Sequence, residues 1–350
     1  KSAAVFGQGS YSFTDKLKVV VGARYTSDEL SMNFHRFQAP GTIAAFGFTG
    51  PLLGDVKSDN LSGRVTLQYD FTPDVMVYGM AGRGYKGPGL NTLSTTGTTA
   101  DIVRPEIPTA FELGLRSRIL GGSTFLNVSA FSTTYKDFQA QVFDQTITPA
   151  TFRITNAGEL KSRGVELEIL SQPLPHTQVN LSAAYIDSEY SDFKNISCYL
   201  GQPILPLGTP RTSPRQCITI TGTQAVTYGD GLPLTNQPKL SYNAGVQQDW
   251  YVSDMKIQGR LNWAWRDKVS FAPNGDPGAR QGAYGLLNGS LSIEPEAGPW
   301  RLSVFAKNLL DQDFVSYIFP SPVMGAPGVY EQFQSPDAER LVGVAVDVKF

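Results

Sequence analysis

The chain is short of charge and nearly lacks cysteine and histidine. Only 17% of its 350 residues are Asp, Glu, Lys or Arg, against roughly 25% in an ordinary soluble protein. A soluble helical protein needs Lys and Glu on its outward faces, so this scarcity argues against one. It also excludes disorder driven by charge repulsion. Net charge is −2, which leaves no basic footprint for nucleic acid. No run reaches the roughly 18 apolar residues of a membrane helix. Residues 1–13 lack the apolar core of a signal peptide. Cys198, Cys217, His35 and His176 do not offer the close paired spacings of a structural zinc site. No metal or cofactor is therefore expected.

Aromatics and glycine are plentiful, with 20 Phe, 15 Tyr and 35 Gly. Mean hydropathy is still only −0.16, so the chain is poor in charge without being rich in apolar residues. A period of two reconciles these values. Leu17, Val19, Val21, Ala23 and Tyr25 alternate with Lys18, Val20, Gly22, Arg24 and Thr26. Leu61, Val65, Leu67, Tyr69 and Phe71 alternate with Ser62, Arg64, Thr66, Gln68 and Asp70. Val342, Val344, Val346, Val348 and Phe350 alternate with Gly343, Ala345, Asp347 and Lys349. Each segment has one largely apolar face and one polar or small face, the signature of a half-buried strand.

About thirteen strands are predicted, near residues 3–13, 16–37, 58–71, 75–86, 107–119, 123–143, 151–171, 176–190, 237–251, 255–271, 281–295, 299–319 and 338–350. Tight turns are expected at Thr14–Asp15, Thr72–Asp74, Leu120–Gly122, Pro173–Pro175, Val252–Asp254 and Pro295–Gly298. Longer links alternate with them, centred near 38–57, 87–106, 144–150, 191–236, 272–280 and 320–337. Short connections at one end and long ones at the other mark an outer-membrane barrel. Phe13, Phe71, Trp250, Tyr251, Trp300 and Phe350 cluster beside the tight turns, where an interfacial aromatic girdle belongs. A closed single-chain bacterial barrel has an even strand number, and the first strand here enters a short turn. Both points lead to the expectation that the chain lacks its beginning.

Eight segments, taken in order, resemble the C-terminal part of a TonB-dependent receptor of the Gram-negative outer membrane. They are Tyr11–Asp28, Val77–Gly89 (VYGMAGRGYKGPG), Arg104–Arg116 (RPEIPTAFELGLR), Leu126–Phe138, Asn156–Glu168 (NAGELKSRGVELE), Asn236–Gly245, Ala306–Phe314 (AKNLLDQDF) and Leu341–Phe350. The resemblance covers nearly the whole chain. It implies an all-β, transmembrane, antiparallel up-and-down barrel, with about 13 strands visible of 22 and residues 1–350 as a single barrel domain. The plug and the TonB box of the family are absent from the sequence. The implied function is active uptake of a scarce nutrient, most often a ferric siderophore. The implied partners are outer-membrane lipid, the nutrient ligand, the TonB complex through the missing N-terminal part, and the barrel-assembly machinery. The last of these would read the C-terminal strand ending in Phe350, which also suggests a native C-terminus. A passive porin-like channel is the alternative. An outer-membrane enzyme with His35 as base is a third reading.

Gly82–Gly87 matches the G-x-G-x-x-G pattern of dinucleotide sites. Pro88 and Gly89 follow in place of the helix such a site needs, so glycines easing the top of a strand are expected. Cys198 and Cys217 fall in the longest link, where an oxidising compartment would join them; free thiols or a two-thiol metal site are the alternatives. Arg24, Arg64, Glu112, Arg116, Arg118, Glu166 and Glu168 fall on the polar faces and are expected to line the lumen or meet a plug. Candidate ligand contacts in the loops and upper wall are Arg83, Lys86, Asn91, Arg104, Arg153, Arg211, Arg215, Tyr228 and Tyr330. Cationic side chains among them suit an anionic chelate.

Overall fold

The structure is a computed structural model, which describes residues 1–35, 51–92, 99–144, 151–222, 224–321 and 328–349. Thirteen strands form one antiparallel sheet in which each pairs with its sequence neighbours. They are β1 (Ser2–Ser12), β2 (Leu17–His35), β3 (Pro51–Thr72), β4 (Val75–Arg83), β5 (Ile107–Ile119), β6 (Thr124–Asp144) and β7 (Thr151–Leu174), followed by β8 (Thr177–Asp192), β9 (Leu240–Val252), β10 (Met255–Arg266), β11 (Tyr284–Pro295), β12 (Trp300–Lys307) and β13 (Leu341–Val348). Among the described residues β1 pairs only with β2, and β13 only with β12. The sheet is therefore open, with a free edge at each side.

Register divides this wall into two faces. Leu17 pairs with Tyr69, Val21 with Val65 and Tyr25 with Leu61, so apolar residues line up from strand to strand. The row continues through Ala81 and Gly79 of β4 to Phe111 and Leu113 of β5. Phe111, Leu113, Val165, Leu261, Leu291, Val304 and Val344 are all between 47 and 66% exposed except Val344, at 67%. A belt of this size left open to water would drive aggregation. Against lipid it needs no protein cover, and the inner strands of the wall are paired on both sides along the ladders, as a membrane interior demands.

The opposite face is polar and closely hydrogen-bonded. Asn262 Nδ2 donates to Asn243 Oδ1 at 2.8 Å. Near the short-turn end, Lys256 lies 3.1 Å from Asp249 and Arg301 lies 3.3 Å from Glu294. Several aromatics lie flat across a glycine of the next strand. Tyr78 covers Gly114, and Phe305 covers Gly343 at 2.5 Å from where a side chain would start. Glycine supplies the room that a ring lying along the wall requires.

All thirteen expected strands are present, and eight of their limits differ by three residues or more: β4 ends at Arg83 rather than near 86, β9, β11 and β13 start at Leu240, Tyr284 and Leu341 rather than near 237, 281 and 338, and the other four have visible causes. β3 starts at Pro51, because residues 51–57 pair with Glu29–His35 and Lys57 meets Glu29 at 3.0 Å. β7 runs through Pro173 and Leu174, so the turn shifts to Pro175–His176, where His176 adopts φ 62°. β10 ends at Arg266; Val269–Ser270 instead pairs with Arg280–Gln281. β12 ends at Lys307, because Asn308 turns the chain with φ 47°. The Asn308 side chain is 1% exposed and bonds Gln312 and Ala338. Phe13, Phe71, Trp250 and Trp300 are exposed at the short-turn end. Tyr251 has the register of the polar face and packs against His176 instead, with ring centroids 4.8 Å apart. Phe350 lies outside the described residues.

The face assignment has a direct consequence. Val344→Arg places a cation on the apolar belt and is expected to cost about 2–4 kcal/mol near the bilayer midplane. Asp347→Arg stays on the polar face, opposite Arg301, and is expected to cost under about 1 kcal/mol. Yield of heat-modifiable barrel in the outer membrane should therefore fall steeply for the first and little for the second; equal losses would reverse the assignment.

Candidate ligand-binding site

Among the described residues, apolar cores form at the end with long links. One gathers Leu160, Tyr190, Phe193, Ile196 and Leu232, with Tyr135 and Phe138 packed against it. A second gathers Val269, Phe271, Ala279 and Ile318, with Tyr317 and Tyr330 against it. These clusters hold three links as folded units above the wall.

The link between β4 and β5 is tied down on the β6–β7 hairpin. Asp137 has φ 53° and stands across from Gly158, between the pairs Lys136–Glu159 and Phe138–Ala157. A positive φ departs from regular strand geometry, and Asp137 receives the Arg104 Nε hydrogen bond at 2.9 Å. Asn156 Oδ1 accepts from the Arg104 backbone N–H at 2.8 Å, while its Nδ2 donates to Asp137 O at 2.7 Å. Gln139 Nε2 donates to Gly87 O and Arg104 O, and Glu106 accepts from the Gln139 backbone N–H. Asn91 exchanges two hydrogen bonds with the Ile154 backbone, at 2.9 and 3.1 Å. Gly84 and Gly87 stand where this link crosses Pro108 and Asp28. Residues 82–92 hold no helix, so the glycine pattern here serves close chain approach.

The link between β8 and β9 builds a four-stranded sheet, in the order Ile196–Ser197, Gln224–Thr227, Cys217–Thr221, Ile204–Leu205. Cys198 and Cys217 are disulfide-bonded, with Cα atoms 5.8 Å apart. Arg211 lies over the Tyr228 ring, 3.9 Å from its centroid, and donates to Pro214 O at 3.0 Å. The link between β10 and β11 locks onto both neighbours. Asn274 Nδ2 donates to Ser197 O at 3.1 Å, and Tyr330 Oη donates to Asp276 Oδ1 at 2.7 Å. Burial, followed by the Asp276 carboxylate, pushes the Tyr330 phenol up to about 12, so it remains a donor at any physiological pH.

The nine candidate contacts thus fall into separate groups. Lys86 (3.8 Å from Glu106), Asn91 and Arg104 meet around the β6–β7 hairpin. Arg153 is paired there with the buried Asp144. Arg211 and Tyr228 stack in the small sheet, whereas Tyr330 belongs to the second core. Arg83 has the register of the apolar outer face and caps the β3 backbone at Leu61 O, with Asn60 Oδ1 at 3.3 Å. Arg215 is exposed, and its guanidinium has no ion pair among the described residues. Asp137 and Asn156 lie in two of the family-like segments, Leu126–Phe138 and Asn156–Glu168; Gln139 and Asp276 do not, and for Asp276 the turn-rich run Asn274–Gly278 signals an ordered loop.

On the polar face, Arg24 donates to Thr26 at 3.1 Å and lies over Phe6. Arg64 donates to Gln8 at 3.1 Å. Tyr78 donates to Glu112, and Arg116 lies over the Tyr78 ring. Arg118 lies over Phe125, and Glu168 accepts from Asn127 at 3.0 Å. Glu112, Arg116, Glu166 and Glu168 border one concavity of about 610 Å³. His35 and His176 stand at opposite strand ends, on the long-link and short-turn sides.

Comparison with known proteins places this arrangement. The family described as "TonB dependent receptor-like, beta-barrel" matches residues 1–309. The pesticin receptor of Yersinia pestis is 24% identical over 317 residues, covering 91% of this chain and 40% of the receptor. That of Yersinia enterocolitica is 24% identical over 297 residues, covering 84% and 41%. The chain therefore spans about two-fifths of the length of these curated relatives. Among solved structures, the ferric yersiniabactin uptake receptor of Yersinia pestis matches with TM-score 0.76 and 21% identity, over 100% of this chain and 45% of the receptor. A siderophore receptor of Acinetobacter baumannii matches with TM-score 0.70 and 16% identity, over 100% and 43%.

Cross-linking residues 19 apart removes about 3 kcal/mol of loop-closure entropy from the open state. The double substitution Cys198→Ser/Cys217→Ser should leave the wall intact and make the β8–β9 link much more sensitive to external protease. Unchanged cleavage would mean that the small sheet holds without the bridge.

Proposed function

The chain belongs to the TonB-dependent receptor β-barrel family, and from that premise we propose that it supplies wall and external loops to an outer-membrane receptor for a ferric siderophore. The observation that carries this reading is the folded crown at one end only. Three links are held by two apolar cores, a disulfide and the Tyr330–Asp276 and Asn274–Ser197 ties. A passive pore has no need of ordered loops on this scale, whereas capture of a scarce ligand needs a pre-shaped surface. The relatives named above that take up ferric yersiniabactin or a siderophore support the ligand class.

In this reading the ligand binds at the crown and passes along the polar face, with no covalent chemistry. Arg215 is the candidate cation best placed to meet an anionic chelate, because its guanidinium has no competing carboxylate. Arg104, Arg153 and Arg211 are engaged in holding loops, so their substitution acts through structure. Arg24, Arg64, Arg116, Arg118, Glu112, Glu166 and Glu168 would face a plug or water in the lumen. The TonB complex would drive passage through a plug-bearing segment not in this chain. The assembly machinery would engage the strand that ends at Phe350. The family consists of receptors and transporters, not enzymes.

A growth and binding screen of the receptor that carries this chain, against ferric chelates, cobalamin and glycans, tests the assignment. Iron-dependent growth on a ferric siderophore is the expected result, and growth on cobalamin or a glycan alone would overturn it. Arg215→Glu should slow association of the ferric chelate roughly three- to tenfold, with the effect shrinking at high salt.

A further inference from the structure

One corner of the crown carries a reactive dipeptide. Asn followed by Gly occurs twice in the chain, at Asn274–Gly275 and Asn288–Gly289. In such a pair the glycine backbone nitrogen can attack the asparagine side-chain carbonyl, because no side chain on the second residue stands in the way. Asn288 lies within β11, where Gly289 pairs with Leu261 on one side and Ala306 on the other. Ladders on both sides hold that backbone extended and leave it no freedom to close a ring. Asn274 lies in the β10–β11 link, between the paired segments Val269–Ser270 and Arg280–Gln281, and in neither helix nor strand.

The link presets the reaction. The Asp276 backbone N–H donates to Asn274 Oδ1 at 3.3 Å. That bond closes a ring containing the Gly275 nitrogen, so the side-chain carbonyl is folded back toward its attacker. It also places a donor on the oxygen that gains negative charge when the carbonyl is attacked. Gly275 adopts φ 77°, and its N–H donates to Ala272 O at 3.2 Å, the upper end of the usual range. Pro277 and Gly278 are exposed, so water and base reach the turn. The same asparagine is a structural tie. Its Nδ2 donates to Ser197 O, beside Cys198, at 3.1 Å. Two residues on, Asp276 is 1% exposed. Its Oδ1 accepts from the Gly278 N–H at 2.9 Å and from Tyr330 Oη at 2.7 Å. Its Oδ2 is buried with no hydrogen-bond partner among the described residues. A second carboxylate beside this one would add like-charge repulsion to the cost of burial.

We propose that Asn274 is a self-modification site whose deamidation unties the crown. Gly275 N attacks Asn274 Cγ and gives its proton to base, and the new N–C bond closes a five-membered imide. The Cγ–Nδ2 bond breaks, and Nδ2 takes up a proton and leaves as ammonia. Water then adds to either imide carbonyl and leaves aspartate or isoaspartate at position 274. No oxidant, enzyme or cofactor is needed. The product has no amide hydrogen for Ser197 O and brings a negative charge to that oxygen, two residues from Asp276. Isoaspartate also adds one carbon to the backbone of the turn. The β10–β11 link therefore loses its hold on the β8–β9 link. The step is irreversible, so the crown loosens as the receptor ages. The site is independent of which nutrient the crown takes, and a negative nutrient screen would leave it untouched.

The test ages the receptor carrying this chain at neutral and at mildly alkaline pH. Peptide mapping by mass spectrometry counts aspartate and isoaspartate at positions 274 and 288. Conversion at 274 should run at least fivefold faster than at 288, and should quicken with pH because the attacking nitrogen must lose its proton. Equal conversion at the two sites, or none at 274, overturns the reactive site. Brief trypsin digestion then reads the crown through the exposed Lys268 and Arg280 of the same link. Aged receptor and fresh Asn274→Asp should each be cut there at least threefold faster than fresh receptor. Unchanged cleavage of either overturns the tie. Asn274→Gln, whose longer side chain closes an imide far more slowly, should gain no sensitivity on ageing. A gain equal to that of the unsubstituted receptor would place the ageing elsewhere and overturn the assignment. The peptide map needs no substitution, so it decides even if a variant fails to assemble.

Discussion

Backbone hydrogen bonding sets the terms for everything else in this molecule. A segment inside a bilayer finds no water to satisfy its N–H and C=O groups, and each unpaired group costs several kcal/mol. Thirteen strands paired only with sequence neighbours meet that demand across the wall interior. The same ladder fixes side-chain direction, because period-two geometry sends alternate residues to opposite faces. One face therefore carries Leu, Val and Phe, as contact with lipid would require, and the other can hold Arg64, Glu112 and Glu168 at little cost. β1 and β13 each leave one edge unpaired among the described residues.

The loops obey a different rule. In water they need apolar cores, and they assemble two of them from residues far apart in sequence. Leu160, Tyr190, Phe193 and Leu232 come from β7, β8 and the link that follows. Polar ties between links then fix the crown's shape, with the Asp137, Asn156 and Gln139 side chains clamping the β4–β5 link. The structure is thus held in two ways: ladders hold the wall, and packed side chains hold the crown.

The strands were legible in the sequence because alternation is a local signal. Leu61–Phe71 shows its two faces without reference to any partner. The alternation of short and long links was equally plain. Limits failed where a single residue acted through distant contacts. Asn308 ends β12 by bonding Gln312 and Ala338, partners that alternation does not reveal. The candidate site was less legible for the same reason. Arg104, Arg153 and Arg211 read as free loop cations, and each has a partner that composition and spacing do not reveal. Arg83 read as an upper-wall contact, and register assigns it to the outer face.

A single-cysteine spin-label scan along β3, from Leu61 to Phe71 in the assembled receptor, tests the central claim most directly. Accessibility to oxygen, which concentrates in lipid, should peak at Leu61, Val65, Leu67 and Tyr69. Accessibility to a polar nickel chelate should be higher at Ser62, Arg64, Thr66 and Gln68 than at their neighbours. Accessibilities without a period of two, or with the faces exchanged, would contradict the placement of this wall in a membrane.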